Sequence, residues 1–117
     1  MLKVHTKKLG AVEVLCLEGQ IVVGDTEVLR GTVQARAAGD IVLDLANVGI
    51  VDAHGLGVLL QLREQTVARG GHLELMNVSQ PLYRIFEITR LNTVFDINRG
   101  VELFPRFAFA QQVLVAA

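Results

Sequence analysis

Hydrophobic residues follow two periods along this chain, and the change between them outlines the central elements. Residues 41–45 form a short apolar run rich in β-branched side chains, as expected for a strand buried on both faces. Beyond Asp52 the apolar positions recur at helical spacing, at Leu56, Leu59, Leu60 and Val67. The centre of the chain is therefore predicted as strand, loop and helix, with the loop at the helix N-terminus.

The N-terminal third predicts two or three strands followed by a helix. Strands are expected over residues 2–9 and 11–18, with Gly19 as a break and a further short strand at 21–23. Gly24 or Asp25 can cap the helix that follows. Its apolar face is predicted to comprise Val28, Leu29, Val33 and Ala37.

The C-terminal half repeats the alternation of strand and helix. Residues 72–76 predict a strand, and Ser79 is placed to cap a helix that carries Pro81 in its first turn. The apolar face of this helix is predicted as Leu82, Ile85, Phe86 and Thr89. Residues 91–97 predict a final short strand region, and residues 101–117 predict a terminal helix.

Strands that alternate with helices predict an α/β fold with right-handed crossovers. The expected architecture is one domain, with a mixed and mostly parallel sheet of about four to six strands and about four helices. Loops at the carboxyl ends of parallel strands share one edge of the sheet, where ligands and partners bind. Three loops are expected to gather there, at residues 24–25, 51–57 and 77–79.

Composition narrows the function classes. The chain has 117 residues, of which 51% are hydrophobic, and a net charge of −1 with no basic stripe, which argues against a nucleic-acid partner. Neither a signal peptide nor a membrane-spanning run is present in the sequence, so a cytoplasmic protein without membrane insertion is expected. The lone Cys16 lies in a strand pattern and is expected to be a buried, inert thiol.

No set of residues predicts catalysis. Ser79 is the only serine, and the three histidines lie far apart in sequence, so neither a catalytic triad nor a metal site is expected. Gly55 and Gly57 are not followed by the lysine and the serine or threonine of a phosphate-binding loop. The sequence therefore predicts a protein that is not an enzyme and that holds no cofactor or metal.

A family resemblance is carried by the loop Asp52-Ala53-His54-Gly55-Leu56-Gly57. It resembles the aspartate-serine-serine-glycine-leucine-glycine loop of STAS domains, the bacterial anti-sigma factor antagonists and their relatives. Residues 77–91 and 94–97 are similar to the segment after the penultimate strand and to the closing strand of that family. The similarity is strongest over residues 4–100, and it implies a single STAS-like domain over residues 1–117.

The resemblance implies a partner and a regulated position. In the family, the second serine of the loop is phosphorylated by a kinase that is itself the anti-sigma factor, an ATPase of the histidine-kinase type. His54 stands at that position here, and Ala53 replaces the other serine. The residues expected to contact the partner are Asp25, Asp52, Ala53, His54, Gly55, Leu56 and Gly57, with Val58 beside them.

Several interpretations remain open at these residues. Asp52 can cap the helix, contact the partner, or do both. His54 can accept a phosphoryl group on a ring nitrogen, contact the partner without chemistry, or be an idle loop residue. Of Gly55 and Gly57, one is expected to relieve a positive φ or a tight turn, and the other to allow a close approach of backbone or partner.

The function that the resemblance implies is a regulatory binding module that engages an anti-sigma factor and so releases a sigma factor. Two alternatives come from other classes: a cytoplasmic STAS subunit of a transporter complex, including lipid transporters, and a small-ligand sensor with a pocket beside the central helix. The apolar C-terminal segment is also compatible with a homodimer.

Overall fold

The computed structural model describes residues 1–36 and 39–98. In chain order the elements are β1 (Lys3–Leu9), β2 (Val12–Ile21), α1 (Glu27–Gln34), β3 (Asp40–Val51), α2 (Ala53–Ala68), β4 (His72–Met76), α3 (Gln80–Ile88), a 3-10 turn (Leu91–Thr93) and β5 (Asp96–Ile97). The predicted terminal helix, at residues 101–117, lies outside the described residues.

The five strands form one sheet in the order β1-β2-β3-β4-β5. β1 pairs antiparallel with β2, and every later pairing is parallel. The predicted α/β class, with a mixed and mostly parallel sheet and the early strands at one side, is confirmed. The described part of the chain contains three α-helices, where about four were predicted for the whole chain.

All three described helices pack on one face of the sheet. Every second residue of the paired strand segments belongs to the same apolar cluster as the buried helix residues. The helix residues of this main core are Leu29, Val33, Val58, Leu59, Leu62, Leu82 and Phe86. All three predicted helix faces were partly wrong: Val28 and Val67 are each 46% exposed, and Thr89 is exposed as well. Leu56 and Leu60 pack against the core while remaining partly exposed.

The other face of the sheet carries a smaller cluster of Val14, Val42 and Met76. Cys16 packs against this cluster and is half-buried, so the expectation of a buried thiol was only partly correct. Burial, together with the nearby carboxylate of Asp44, raises the pKa of Cys16 above its usual 9.0. At neutral pH the thiol therefore stays protonated, which agrees with the prediction of an inert cysteine.

The strands β2 and β3 are longer than predicted. They pair from Val12 beside Asp40 to Ile21 beside Val51, and two register shifts accommodate irregularities along the way. Gly19 has φ +124° and lies at one of these shifts, so it bends β2 and does not end it. The predicted strand at 21–23 was wrong beyond its first residue.

The final strand region was only partly correct. Of residues 91–97, only Asp96–Ile97 pair with β4. Leu91–Thr93 form a 3-10 turn, and Phe95 turns into the core, where its ring packs edge-on against Phe86 with centroids 5.7 Å apart. The apolar pattern here reports burial of a compact turn and not strand pairing.

Candidate functional site

The candidate site lies where β2 and β3 end together. Ile21 pairs with Val51, so the loop after β2 runs beside the start of α2. The backbone N–H of Asp52 donates to the Ile21 carbonyl at 3.3 Å, which joins the two chain segments directly. Two of the three loops predicted to gather at this edge therefore do so.

The third loop does not reach this site. β4 ends at Met76, which pairs with Asp44, so the loop at residues 77–79 stops roughly 20 Å short of Val51 along β3. The Asn77 side chain donates to Asp44 Oδ1 at 3.0 Å, seven residues before the end of β3. The prediction of three converging loops was wrong, because β4 is much shorter than β3.

Asp52 connects the start of α2 to the loop after β2. It is the N-cap of α2, and its Oδ1 accepts from the Gly55 N–H at 2.7 Å. Its Oδ2 accepts from the Val23 N–H at 3.1 Å, in the loop after β2. The Gly55 and Val23 amides, helped by His54, hold the pKa of Asp52 below its usual 3.8. The predicted cap is confirmed, and the same carboxylate also fixes a second loop.

His54 lies exposed in the first turn of α2, and it connects the starts of two helices. Its Nε2 is 3.2 Å from the hydroxyl oxygen of Thr26. Thr26 is the N-cap of α1, is only 2% exposed, and makes no capping hydrogen bond with its side chain. The sequence pattern placed the cap of α1 at Gly24 or Asp25, which was wrong by one or two residues.

The remaining predicted residues divide between surface and interior. Ala53 and Gly57 are exposed, and Asp25 is half-exposed in the loop between Val23 and Thr26. Gly55 is buried, and Leu56 is half-buried against the core. Val58 is 1% exposed, so its placement on the partner surface was wrong.

One of the two roles expected of the glycines in α2, the close approach of backbone, is confirmed at Gly55, and the positive φ is wrong. Neither has a positive φ. A Cβ on Gly55 would overlap the carbonyl oxygen of Ile21, so this glycine allows α2 to start directly on the end of β2. A Cβ on Gly57 would meet nothing within 4 Å. Of these two glycines, only Gly55 is required by the packing of the described chain.

Two exposed apolar side chains flank the site, and sequence reasoning did not assign them to it. Val23 is 69% exposed and Ile50 is 52% exposed. The backbone N–H of Val23 donates to the Asp52 carboxylate, and Ile50 lies two residues before Asp52, near the end of β3. The available signal was their position in the sequence, in the loop after β2 and near the end of β3.

Other features of the molecule lie away from this edge. A cavity of about 270 Å³ opens at the opposite end of the strands, lined by Lys8, Gly10, Ala11, Glu13, Arg36, Gly39, Asp40 and Ile41. It does not lie beside the central helix, where a ligand pocket was considered. Within residues 1–36 and 39–98, no helix is long and apolar enough to cross a membrane, and no three His, Cys, Asp or Glu side chains cluster as metal ligands.

Comparison with known families identifies the domain. The family model of the STAS domain matches residues 3–110. The chain belongs to the STAS domain family. This STAS chain is 34% identical over 88 residues to an anti-sigma-B factor antagonist of Bacillus subtilis (strain 168), covering 74% of this chain and 81% of that protein.

Solved structures share the STAS fold at lower identity. An anti-sigma factor antagonist from Mycobacterium paratuberculosis superposes with a TM-score of 0.76 at 18% identity, covering 99% of this chain and 93% of that chain. A sulfate transporter family protein from Wolinella succinogenes gives a TM-score of 0.73 at 22% identity, covering 93% and 91%. The same fold therefore occurs in regulatory and in transporter proteins, and function must be argued from the site.

Proposed function

We propose that this STAS protein is an anti-sigma factor antagonist that binds an anti-sigma factor through the edge formed by Asp25 and residues 52–57. The observation that carries the proposal is the exposed His54 at the start of α2, fixed to the loop after β2 through Thr26. The similarity to the anti-sigma-B factor antagonist of Bacillus subtilis supports the class of partner.

The chemistry of the edge suits a transient protein contact. Two apolar side chains, Val23 and Ile50, are exposed beside the charged Asp52 and the polar His54. Interfaces between independently stable proteins combine an apolar centre with a polar rim in this way. The Thr26 hydroxyl lies 3.2 Å from His54 Nε2 but is buried, so it is not proposed as a nucleophile.

The partner proposed is a kinase of the histidine-kinase-like ATPase type that also acts as the anti-sigma factor. Residues 52–57 contain no hydroxyl side chain, so such a kinase finds no serine or threonine acceptor in this loop. A phosphate there would add about two negative charges beside Asp52 and oppose binding. Without that acceptor, binding is constitutive or is regulated elsewhere.

A charge substitution at position 54 tests the proposal. His54→Asp places a permanent negative charge next to Asp52, and we expect it to weaken partner binding at least tenfold, a difference of about 1.4 kcal/mol. His54→Asn is the matched control, because it has nearly the same shape, carries no charge and loses the same contact to Thr26. Isothermal calorimetry with the purified kinase measures all three affinities.

Equal affinities for the wild type, His54→Asp and His54→Asn would show that His54 does not belong to the interface. The kinase itself is obtained by affinity isolation from the source cells, under conditions that preserve acid-labile phosphate. Recovery of a transporter ATPase or a permease in its place would transfer this protein to the transporter-subunit class, whose fold it also shares.

A further inference from the structure

Thr26 carries a buried hydroxyl whose position in the fold is not explained by helix capping. Its side chain is 2% exposed and makes no capping bond, although its residue is the N-cap of α1. Its contact is His54 Nε2, at 3.2 Å. We propose that Thr26 is a positioning residue that holds the His54 imidazole in one orientation and one tautomer on the partner-binding surface.

The direction of the hydrogen bond follows from burial. A buried hydroxyl must place its proton on an acceptor, and a buried donor left without one is strongly unfavourable. Among the described residues, the imidazole nitrogen of His54 is the acceptor within reach of Thr26 Oγ1. The hydroxyl therefore donates to Nε2, and the proton of the neutral imidazole lies on Nδ1.

This tautomer determines which ring nitrogen of His54 is presented to a partner as a hydrogen-bond donor. With Nε2 occupied, Nδ1–H is the ring group of His54 that has no hydrogen-bond partner in the described chain. His54 is exposed, so the surface presents a fixed N–H donor, which fits a carbonyl or carboxylate acceptor on the partner. This last step rests on the proposed function, whereas the orientation of the ring does not.

A purely structural role for the contact is the competing explanation. Asp52 already joins the start of α2 to the loop after β2 through the Val23 amide, so the two segments are connected without His54. If the contact between Thr26 and His54 only adds to that connection, its loss lowers stability and leaves the tautomer and the affinity unchanged. A readout at the imidazole itself separates the two roles.

Long-range proton–nitrogen NMR of the free, 15N-histidine-labelled protein provides that readout, at a pH where the imidazoles are neutral. We expect His54 in the wild-type protein to show a protonated Nδ1 and an unprotonated Nε2. Thr26→Val, which keeps the shape and removes the hydroxyl, is expected to give a mixture of tautomers, and Thr26→Ser to restore the single one. His5 serves as the internal reference, and His54→Asn assigns the signal. A protonated Nε2 in the wild type, or a tautomer that Thr26→Val leaves unchanged, overturns the proposal.

Affinity for the anti-sigma factor kinase tests the consequence for binding. An unrestrained exposed side chain must be ordered on association, so Thr26→Val is expected to raise Kd roughly three- to tenfold, and Thr26→Ser to restore it. On the His54→Asn background, Thr26→Val should cause no further loss. Unchanged affinity despite a changed tautomer overturns the positioning role. If the wild-type protein binds no such kinase, the proposed function fails, and the NMR result alone decides the orientation of the ring.

Discussion

The starts of α2 and α3 use the same local device but differ in what surrounds them. Asp52 caps α2 by accepting from the Gly55 N–H at 2.7 Å. Ser79 caps α3 by accepting from the Leu82 N–H at 3.4 Å, with a proline in the first turn. Both caps satisfy an N–H group that has no partner inside the helix.

The difference is that the first turn of α2 also contacts β2 and the loop after β2. The Asp52 carboxylate also accepts from the Val23 amide, Gly55 lies against the end of β2, and His54 contacts Thr26. In the described chain, the Ser79 side chain bonds only to its own helix. A capped helix start becomes a candidate site when tertiary contacts also fix the side chains around it.

Gly55→Ala is expected to have the largest effect on stability, because it disrupts a contact that α2 makes with β2. The new Cβ would overlap the backbone oxygen of Ile21, which cannot move aside as a side-chain tip can, so α2 must shift from β2. We expect a loss of about 3 kcal/mol or more in the free energy of unfolding, measured by urea denaturation. A loss below about 1 kcal/mol would show that α2 does not depend on this close approach.

Asp52→Ala and Ser79→Ala compare the two caps directly. Ser79→Ala should reduce the free energy of unfolding by about 1 kcal/mol, the usual value of an N-cap. Asp52→Ala should reduce it by more, because the Val23 amide loses its acceptor as well. Equal losses for the two variants would mean that the link to the loop after β2 adds nothing.

The acid dependence of the Asp52 contribution follows from the direction of its pKa. Folding lowers the pKa of Asp52 below 3.8, so the folded state favours the carboxylate. Its contribution is therefore fully present above about pH 4 and is lost as the pH falls through the lowered folded pKa. The stability difference between wild type and Asp52→Ala should shrink on acidification, whereas the difference for Ser79→Ala should not.

Gly57→Ala has the smallest expected effect on the fold and separates folding from binding. Its Cβ meets nothing within 4 Å, so the variant should gain up to about 1 kcal/mol of stability from helix propensity. Under the proposed function, the added methyl group lies on the partner surface and should weaken kinase binding. Increased stability together with unchanged affinity would place the partner away from this turn of α2.

Much of the fold could be predicted from local patterns. The strand at residues 72–76, the central helix and the caps at Asp52 and Ser79 were correct, because period, capping and breaking residues act over a few neighbours. The full extent of β3 could not be predicted. Its second half exposes Ala46, Asn47, Gly49 and Ile50, so that half follows from pairing with β2 and not from its own apolar pattern.

The sequence by itself determined the order of strands and helices, the class of the sheet and the loop that carries His54. The tertiary structure decided which loops meet: the lengths of β2 and β3 bring Thr26 to His54, and the short β4 keeps residues 77–79 away. It also decided that Gly55 is packed and that Gly57 is open, although both belong to one helix. The physical reason is that periodicity and capping depend on near neighbours, whereas strand pairing and close backbone approach join residues that are distant along the chain.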